Sequence, residues 1–367
     1  MQSRIRTFLL TMLMLLIPVA CGANSSPIDL ARVDDQNLMG MSSAVFLRSI
    51  GNDLQISAIE TAVETFRSKN ARTRDGLSKL EIFYDGITAD PKDPRLLPHL
   101  ARWKELFPQS PTPYVLEAHI KLSAVINAFR LEGLSEQDFQ ALRRDKGRIE
   151  ELHALFAENQ LKPVADPHWH MLRLRLSLLQ GRRGSDNSMM ASKALRRFPE
   201  YKPLYSAAAD LYLPRWGGTA EALEFWAREV EQSQGRAGAP GAYALTYLHA
   251  FEHEYGNDLL ARSNIGWERF KKSWRSLELN GIGKHFQAIA AMTACVAGDH
   301  ALAKRLFQQA GSALNGTLSG SRPGRKVCVT WAAKSEWQLF YEEILADVQP
   351  YLAYILSIVD LILLRGR

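Results

Sequence analysis

The chain has 367 residues, 46% of them apolar and 23% charged, with a formal net charge of +6. That composition excludes a disordered chain and is ample for one or two packed domains or an extended repeat array. Acidic and basic residues are interspersed, and the basic runs "GRRG" (181–184) and "SRPGRK" (321–326) lie in Gly/Ser-rich sequence without aromatic interleaving, so they read as solvated loops and no nucleic-acid partner is expected.

Residues 1–20 combine Arg4 and Arg6 with the apolar run "FLLTMLMLLIPV" and a small Ala20, the pattern of a signal peptide. Losing them lowers the net charge by two, to +4. The stretch "IPVACG" resembles the lipobox of bacterial lipoproteins, which makes Cys21 the expected lipidation site, although Pro18 stands where that family usually has Leu. The resemblance implies a membrane partnership through an N-terminal lipid. It also implies a place in the cell envelope, with Gly22 favouring an outer-membrane lipoprotein facing the periplasm. A plain secreted protein and an uncleaved anchor are the alternatives. Residues 21–43 then read as the lipidated Cys and a tether with one loose turn.

From residue 44 onward apolar residues recur at three- and four-residue spacing, and alternating β-branched patterns are nearly missing, so the expected fold class is all-α. Helices of about 12–22 residues, broken by "ADPKDP", "FPQSPTP", "KPVADP", "FPEYKP" and "RAGAPG", predict stacked helical hairpins, an α-solenoid of degenerate repeats. The expected divisions are an N-terminal helical region (44–160), a repeat domain (161–316), a Gly/Ser/basic loop (317–330) and C-terminal helices with an apolar end (331–367). Internal similarity is present: "LFPQSPTPYVLEAHIKL" (106–122) and "RFPEYKPLYSAAADLYL" (197–213) align Phe107, Pro108, Tyr114, Ala118 and Leu122 with Phe198, Pro199, Tyr205, Ala209 and Leu213.

In "AAMTACVAGDHALAKRLFQQAG", Gly298 is preceded at seven residues by Ala291 and followed by Ala303, Phe307 and Ala310, a spacing that resembles a tetratricopeptide repeat. Gly298 ends one helix, the alanines let two helices approach, and Phe307 fills the next groove. A second copy, "DLYLPRWGGTAEALEFWAREV", keeps Gly217, Ala222 and Trp226 but carries Asp210 at the close-packing position and Glu229 where small Ala is expected. A third begins at Trp169 and ends in Ala194 and Phe198, interrupted by "GRRGSDN". Over roughly residues 165–315 the chain also resembles a bacterial family of a domain of unknown function with LPRWGG and AC-x-AGD signatures, here Leu213–Gly218 and Ala294–Asp299, with "WERFKKSW" (267–274) between them. The resemblance implies a tetratricopeptide-like fold and no particular activity. Within the first signature Pro214 stops a helix, Gly217 and Gly218 permit a tight turn, Trp216 caps the hairpin core, and Arg215 is expected to satisfy helix C-terminal carbonyls, an acidic partner being the alternative. Trp267 and Trp274, seven apart, are expected in the core or lining a groove.

The one catalytic-looking motif is His249-Ala-Phe-Glu252-His253, which matches the H-x-x-E-H pattern of inverzincin peptidases: two histidines one turn apart to hold zinc, and a glutamate to activate its water. That chemistry needs a third ligand, for which Glu336 and Glu342 are the downstream candidates, and that family builds its site against a sheet edge, for which this chain has no strands. A polar helix face is therefore the preferred reading of His249, Glu252 and His253, with a zinc hydrolase as the alternative. "GIGK" (281–284) lacks the rest of a phosphate-binding loop and reads as a helix boundary.

"YLAYILSIVDLILLRGR" (351–367) is apolar but too short to span a bilayer, and is expected to pack back on the preceding helices, with a partner-binding or interfacial helix as the alternative. The expected function is a lipid-anchored scaffold that binds an envelope protein or peptide in a helical groove, with no cofactor and no chemistry of its own. An exported chain also permits a disulfide between Cys295 and Cys328, with an ordinary packed Cys295 as the alternative. A bridge of this span is worth about 4 kcal/mol in the chain-entropy model. If it forms, alkylation of the unreduced, unfolded protein should leave both cysteines unlabelled, and peptide mapping should recover them as one cross-linked species.

Overall fold

The computed structural model describes residues 27–128, 146–159, 163–180, 185–236 and 239–310. The all-α class is observed: among the described residues there is no strand, only an isolated bridge between Arg72 and Ser78. The first helices are α1 (Leu38–Ser49), α2 (Asp53–Ser68), α3 (Lys79–Asp85), α4 (Leu96–Leu106), α5 (Thr112–Ala128) and α6 (Lys146–Glu158). Then come α7 (Pro167–Leu179), α8 (Ser185–Arg197), α9 (Pro203–Asp210), α10 (Ala220–Arg236) and α11 (Ala242–Ala250). After α11 the helix widens into a π-turn (Phe251–Tyr255), and α12 (Leu259–Arg262), α13 (Trp267–Leu279), α14 (Lys284–Val296) and α15 (His300–Ala310) follow.

Local sequence accounts for where these helices start. The Asn52 and Ser78 side chains accept from backbone N–H groups in the first turns of α2 and α3, and Asp166 does the same for α7, where Pro167 occupies the first helical position. Each such cap satisfies a donor that the helix itself cannot pair. Gly217, at φ 79°, closes the Pro214–Trp216 turn, and a Cβ on Gly218 would lie 2.0 Å from the Tyr212 carbonyl oxygen, so the "LPRWGG" turn needs both glycines.

Packing runs along the chain in a skipping pattern. Helix α5 packs on α7, α7 on α9, α9 on α11, and α11 on α13 and α14, while α6, α8 and α10 pack beside this row. Small residues permit the close approaches: Ala207, Ala208 and Ala209 in α9, Ala242, Ala244 and Ala250 in α11, and Ala291 and Ala303 in the α14–α15 pair are all buried. Phe307 is buried in the same core, and Gly298 links α14 to α15 at φ 72°.

A loop of the N-terminal part meets the start of α14. The Asp75 carbonyl accepts from His285 N at 3.2 Å, and the Gly76 and Gly283 backbones touch there. A Cβ on Gly283 would sit 2.2 Å from the Asp75 oxygen and 2.3 Å from the Gly76 Cα. Arg72 adds an ion pair to Glu200 at 2.7 Å. Together these contacts draw early and late helices around a common interior.

Part of the expected tether is packed structure. Leu30 and Leu38 are fully buried, both edges of the Gln55 amide clasp the Ile28 backbone, and Asp35 pairs with Lys79 at 2.7 Å, because this segment covers the apolar faces of α1 and α2. The signal peptide, Cys21, Cys328, Glu336, Glu342, the 317–330 loop and the C-terminal helices lie outside the described residues. Cys295 is disulfide-bonded, to a cysteine that also lies outside them.

Substituting Gly283→Ala forces a methyl group into backbone that cannot move aside. The expected loss is about 1–3 kcal/mol in urea unfolding, whereas Gly147→Ala, where nothing lies within 4 Å of the added carbon, should cost no stability.

Candidate functional site

Helices α3, α5, α7, α9, α11 and α14 line a half-open cavity of about 610 Å³. Its apolar wall includes Ile126, Leu178, Leu245, Leu248 and Ile289, and Trp216 and Phe286 add aromatic surface. Against this wall converge Arg175, Lys202, Arg215, Glu81, Asp210, Glu252 and three histidines, His249, His253 and His285. So many ionisable groups on one interior surface is a departure from core composition that local folding does not require.

The "HAFEH" motif lies at the rim of this cavity, and its backbone is not a regular α-helix. The π-turn begins two residues after His249, so Glu252 and His253 are carried on a widened turn, a feature that recurs at functional sites. His249 Nε2 lies 2.7 Å from Asp210 Oδ1, and the His249 and His253 rings are 4.4 Å apart at 40°. Burial alone would raise the Asp210 pKa, but the His249 charge and hydrogen bond, helped by Arg175 and His253, outweigh it and hold the carboxyl below its usual value. Asp210, expected as a misplaced close-packing residue, is thus the partner of the first histidine of the motif. Among the described residues no third ligating group joins His249 and His253 at metal-binding distance.

Arg215 also differs from expectation. Its guanidinium Nε donates to Glu254 Oε2 at 2.8 Å, and its backbone N reaches the same oxygen at 3.3 Å, so the acid of the π-turn takes the place expected of helix carbonyls. Trp216 is half-buried, packs against the hydrophobic core and lines the cavity. Trp274 is fully buried, while Trp267 donates to Asp299 Oδ2 at 3.2 Å, which joins the "WERFKKSW" and "AC-x-AGD" segments.

Behind the cavity lies a buried polar network without a motif. Asp166, fully buried, accepts from Arg67 Nε (2.9 Å), Tyr84 Oη (2.9 Å) and His168 N (2.8 Å). Tyr84 stacks on the His168 ring at 4.4 Å; His168 Nδ1 meets the Tyr201 hydroxyl at 2.8 Å, and its Nε2 lies 3.1 Å from His119 Nδ1. Burial first, then neighbouring positive charge, keeps both imidazoles neutral: His119 is pushed down to about 3, and His168 falls well below the usual range. Glu81 and Asp85, one turn apart on α3, share the same surroundings. Burial raises both carboxyls above their usual values against the opposing charge of Arg175, and for Glu81, pushed up to about 8, the Asp85 charge adds to the shift. Glu81 lies deep among the helices yet reaches the cavity, so the network and the cavity share a wall.

Two cations in that wall stand apart. Neither the Arg175 nor the Lys202 side chain makes a hydrogen bond or close ion pair with another described residue, and Lys202 Nζ lies over the Tyr205 ring at 5.8 Å. Burial lowers Lys202 to about 8. The comparisons with known proteins give no precedent: no family model, no curated protein and no solved structure matches the chain.

These groups set the pH dependence of folding. Between about pH 6.5 and 8 the folded protein keeps a proton on Glu81 that the unfolded chain releases, so stability rises as pH falls through that window. Below the unfolded histidine value of 6.5, the unfolded chain protonates His119 and His168 while the folded protein does not, and stability falls again. Urea unfolding of chelator-treated protein should therefore show a maximum near neutrality. Glu81→Gln should flatten the alkaline limb by up to about 1.4 kcal/mol per pH unit and leave the acid limb in place.

Proposed function

We propose that the chain is an exported, lipid-anchored envelope protein that binds a small amphipathic anion inside an array of stacked helical hairpins. The observation that carries this reading is the pair of cations, Arg175 and Lys202, set without a bonded acid into the wall of a 610 Å³ cavity. Glu200 is felt by Lys202, and Asp210, Glu81 and Asp85 lie near Arg175, but none of these acids is hydrogen-bonded to either cation. A carboxylate or phosphate group supplies the missing counter-charge, and the apolar wall with Trp216 and Phe286 suits a partly apolar body. The volume lies within the range of small-molecule sites, which favours this occupant over a peptide laid in an open groove. The skipping contacts from α5 to α11 and the α14–α15 pair support the tetratricopeptide-like arrangement. The signal and lipobox pattern support the envelope location, where an anchored binding protein holds its ligand at the membrane face.

Calorimetric titration with phenyl phosphate, phenylacetate and uncharged benzyl alcohol tests the reading. The two anions should bind with millimolar or better affinity and the alcohol should not. Arg175→Ala should weaken binding by about 10- to 100-fold, the value of a charged hydrogen bond. Affinity should fall as pH rises past about 8, where Lys202 loses its proton. Equal binding of the alcohol, or anion binding indifferent to Arg175→Ala, sinks the proposal.

A further inference from the structure

We infer that Asp85, His119 and His168 form a binding site for one divalent first-row transition metal ion, beside the anion cavity and separate from the "HAFEH" histidines. Each residue offers one ligand atom, and the three atoms lie within 4.8 Å of one another, the one such group among the described residues. They come from three separate helices, α3, α5 and α7, so the tertiary fold gathers them and no local spacing explains their meeting.

The geometry suits an ion. Two nitrogens each about 2.0–2.1 Å from a metal at the tetrahedral angle stand roughly 3.3–3.4 Å apart, and His119 Nδ1 and His168 Nε2, at 3.1 Å, need part by only a few tenths of an ångström. The alternative occupant of that gap is a single proton shared by two neutral rings. The surroundings favour the ion. The other nitrogen of His168 is held by the Tyr201 hydroxyl at 2.8 Å and its ring is stacked on Tyr84, whose own hydroxyl is fixed by Asp166. That is the outer support by which metal-binding imidazoles are oriented. Asp85 adds a hard oxygen, and Glu81, one turn earlier on α3, brings a second carboxyl to the same neighbourhood and opens it to the cavity. Arg175 opposes a cation there, and the Asp85 carboxyl, which gives its proton to solvent as the ion binds, offsets it. Two imidazoles and one carboxylate suit zinc, cobalt or iron(II) better than magnesium or calcium. On binding, the ion takes the place of the proton between the rings, and the ring that gave it up carries a proton on its other nitrogen instead, so both imidazoles stay neutral.

The test uses the full mature chain stripped with a chelator and titrated with Co²⁺ alone, then with Zn²⁺ as competitor. One Co²⁺ per chain should bind, with visible absorption bands of low-coordinate cobalt that zinc abolishes. His119→Ala and Asp85→Asn, each confirmed as folded by circular dichroism, should lose stoichiometric binding. Tyr201→Phe, which touches no ligand atom, should weaken it by about 10-fold. If the folded wild-type protein takes up no cobalt at millimolar concentration, the proposal fails. Binding that persists in His119→Ala, or that is lost in His249→Ala instead, also overturns it by placing the ion at the other histidine pair. Binding of phenyl phosphate by the metal-free protein reads the anion cavity independently, so failure of one site is distinguishable from failure of the other.

Discussion

The carboxylate of Asp166 is the charge around which the interior is arranged. It has no exposure to water, and its cost is offset only because three donors from separate elements converge on it: the Arg67 guanidinium from α2, the Tyr84 hydroxyl from α3 and the His168 amide of α7. Removing one partner of such a buried pair typically costs about 3–5 kcal/mol, because the other charge is left without compensation. Arg67 extends the bond to Thr112 at the start of α5. There Thr112, Ser110 and the Trp103 indole all donate to a second buried carboxylate, Glu60. Two acids thus fix the relative positions of α2, α3, α4, α5 and α7. The placement of Tyr84, and through it of His168, follows from the same bonds.

On that frame the chemistry divides into two neighbouring compartments. One is dry and bonded: His119, His168 and Tyr201, with neutral imidazoles. The other is the cavity, where Arg175 and Lys202 have no bonded acid and His249 is paired with Asp210. Arg175 sits between them, and its charge is felt by Glu81, Asp85, His119, His168 and Asp210 alike.

The helical class was legible because period-3.6 apolar spacing and Pro/Gly punctuation are local properties, and the α14–α15 pair could be read from Gly298, Ala303 and Phe307 alone. The site was legible only at its edge. His249 and His253 stood out because they are close in sequence, but their bonded partner Asp210 lies 39 residues away, and nothing local marks the pairing. The aligned stretches around Phe107 and Phe198 came nearer, since they place His119 and Asp210 in the same register, one residue after Ala118 and Ala209. Both are polar residues at a position where a helical pair expects a small one, and both prove to face a histidine from a neighbouring helix. Arg67, Glu81 and Arg175 sit among ordinary charged residues, and only three-dimensional packing separates a buried charge from a solvated one.

The contact between Gly76 and Gly283 bears on how such a chain can change over time. A row of helical hairpins with two free ends tolerates duplication or loss of a unit, because each unit answers only to its neighbours. Here the loop that follows α2 meets the start of α14 with no room for even one methyl group, so a length change between them must leave that contact in register.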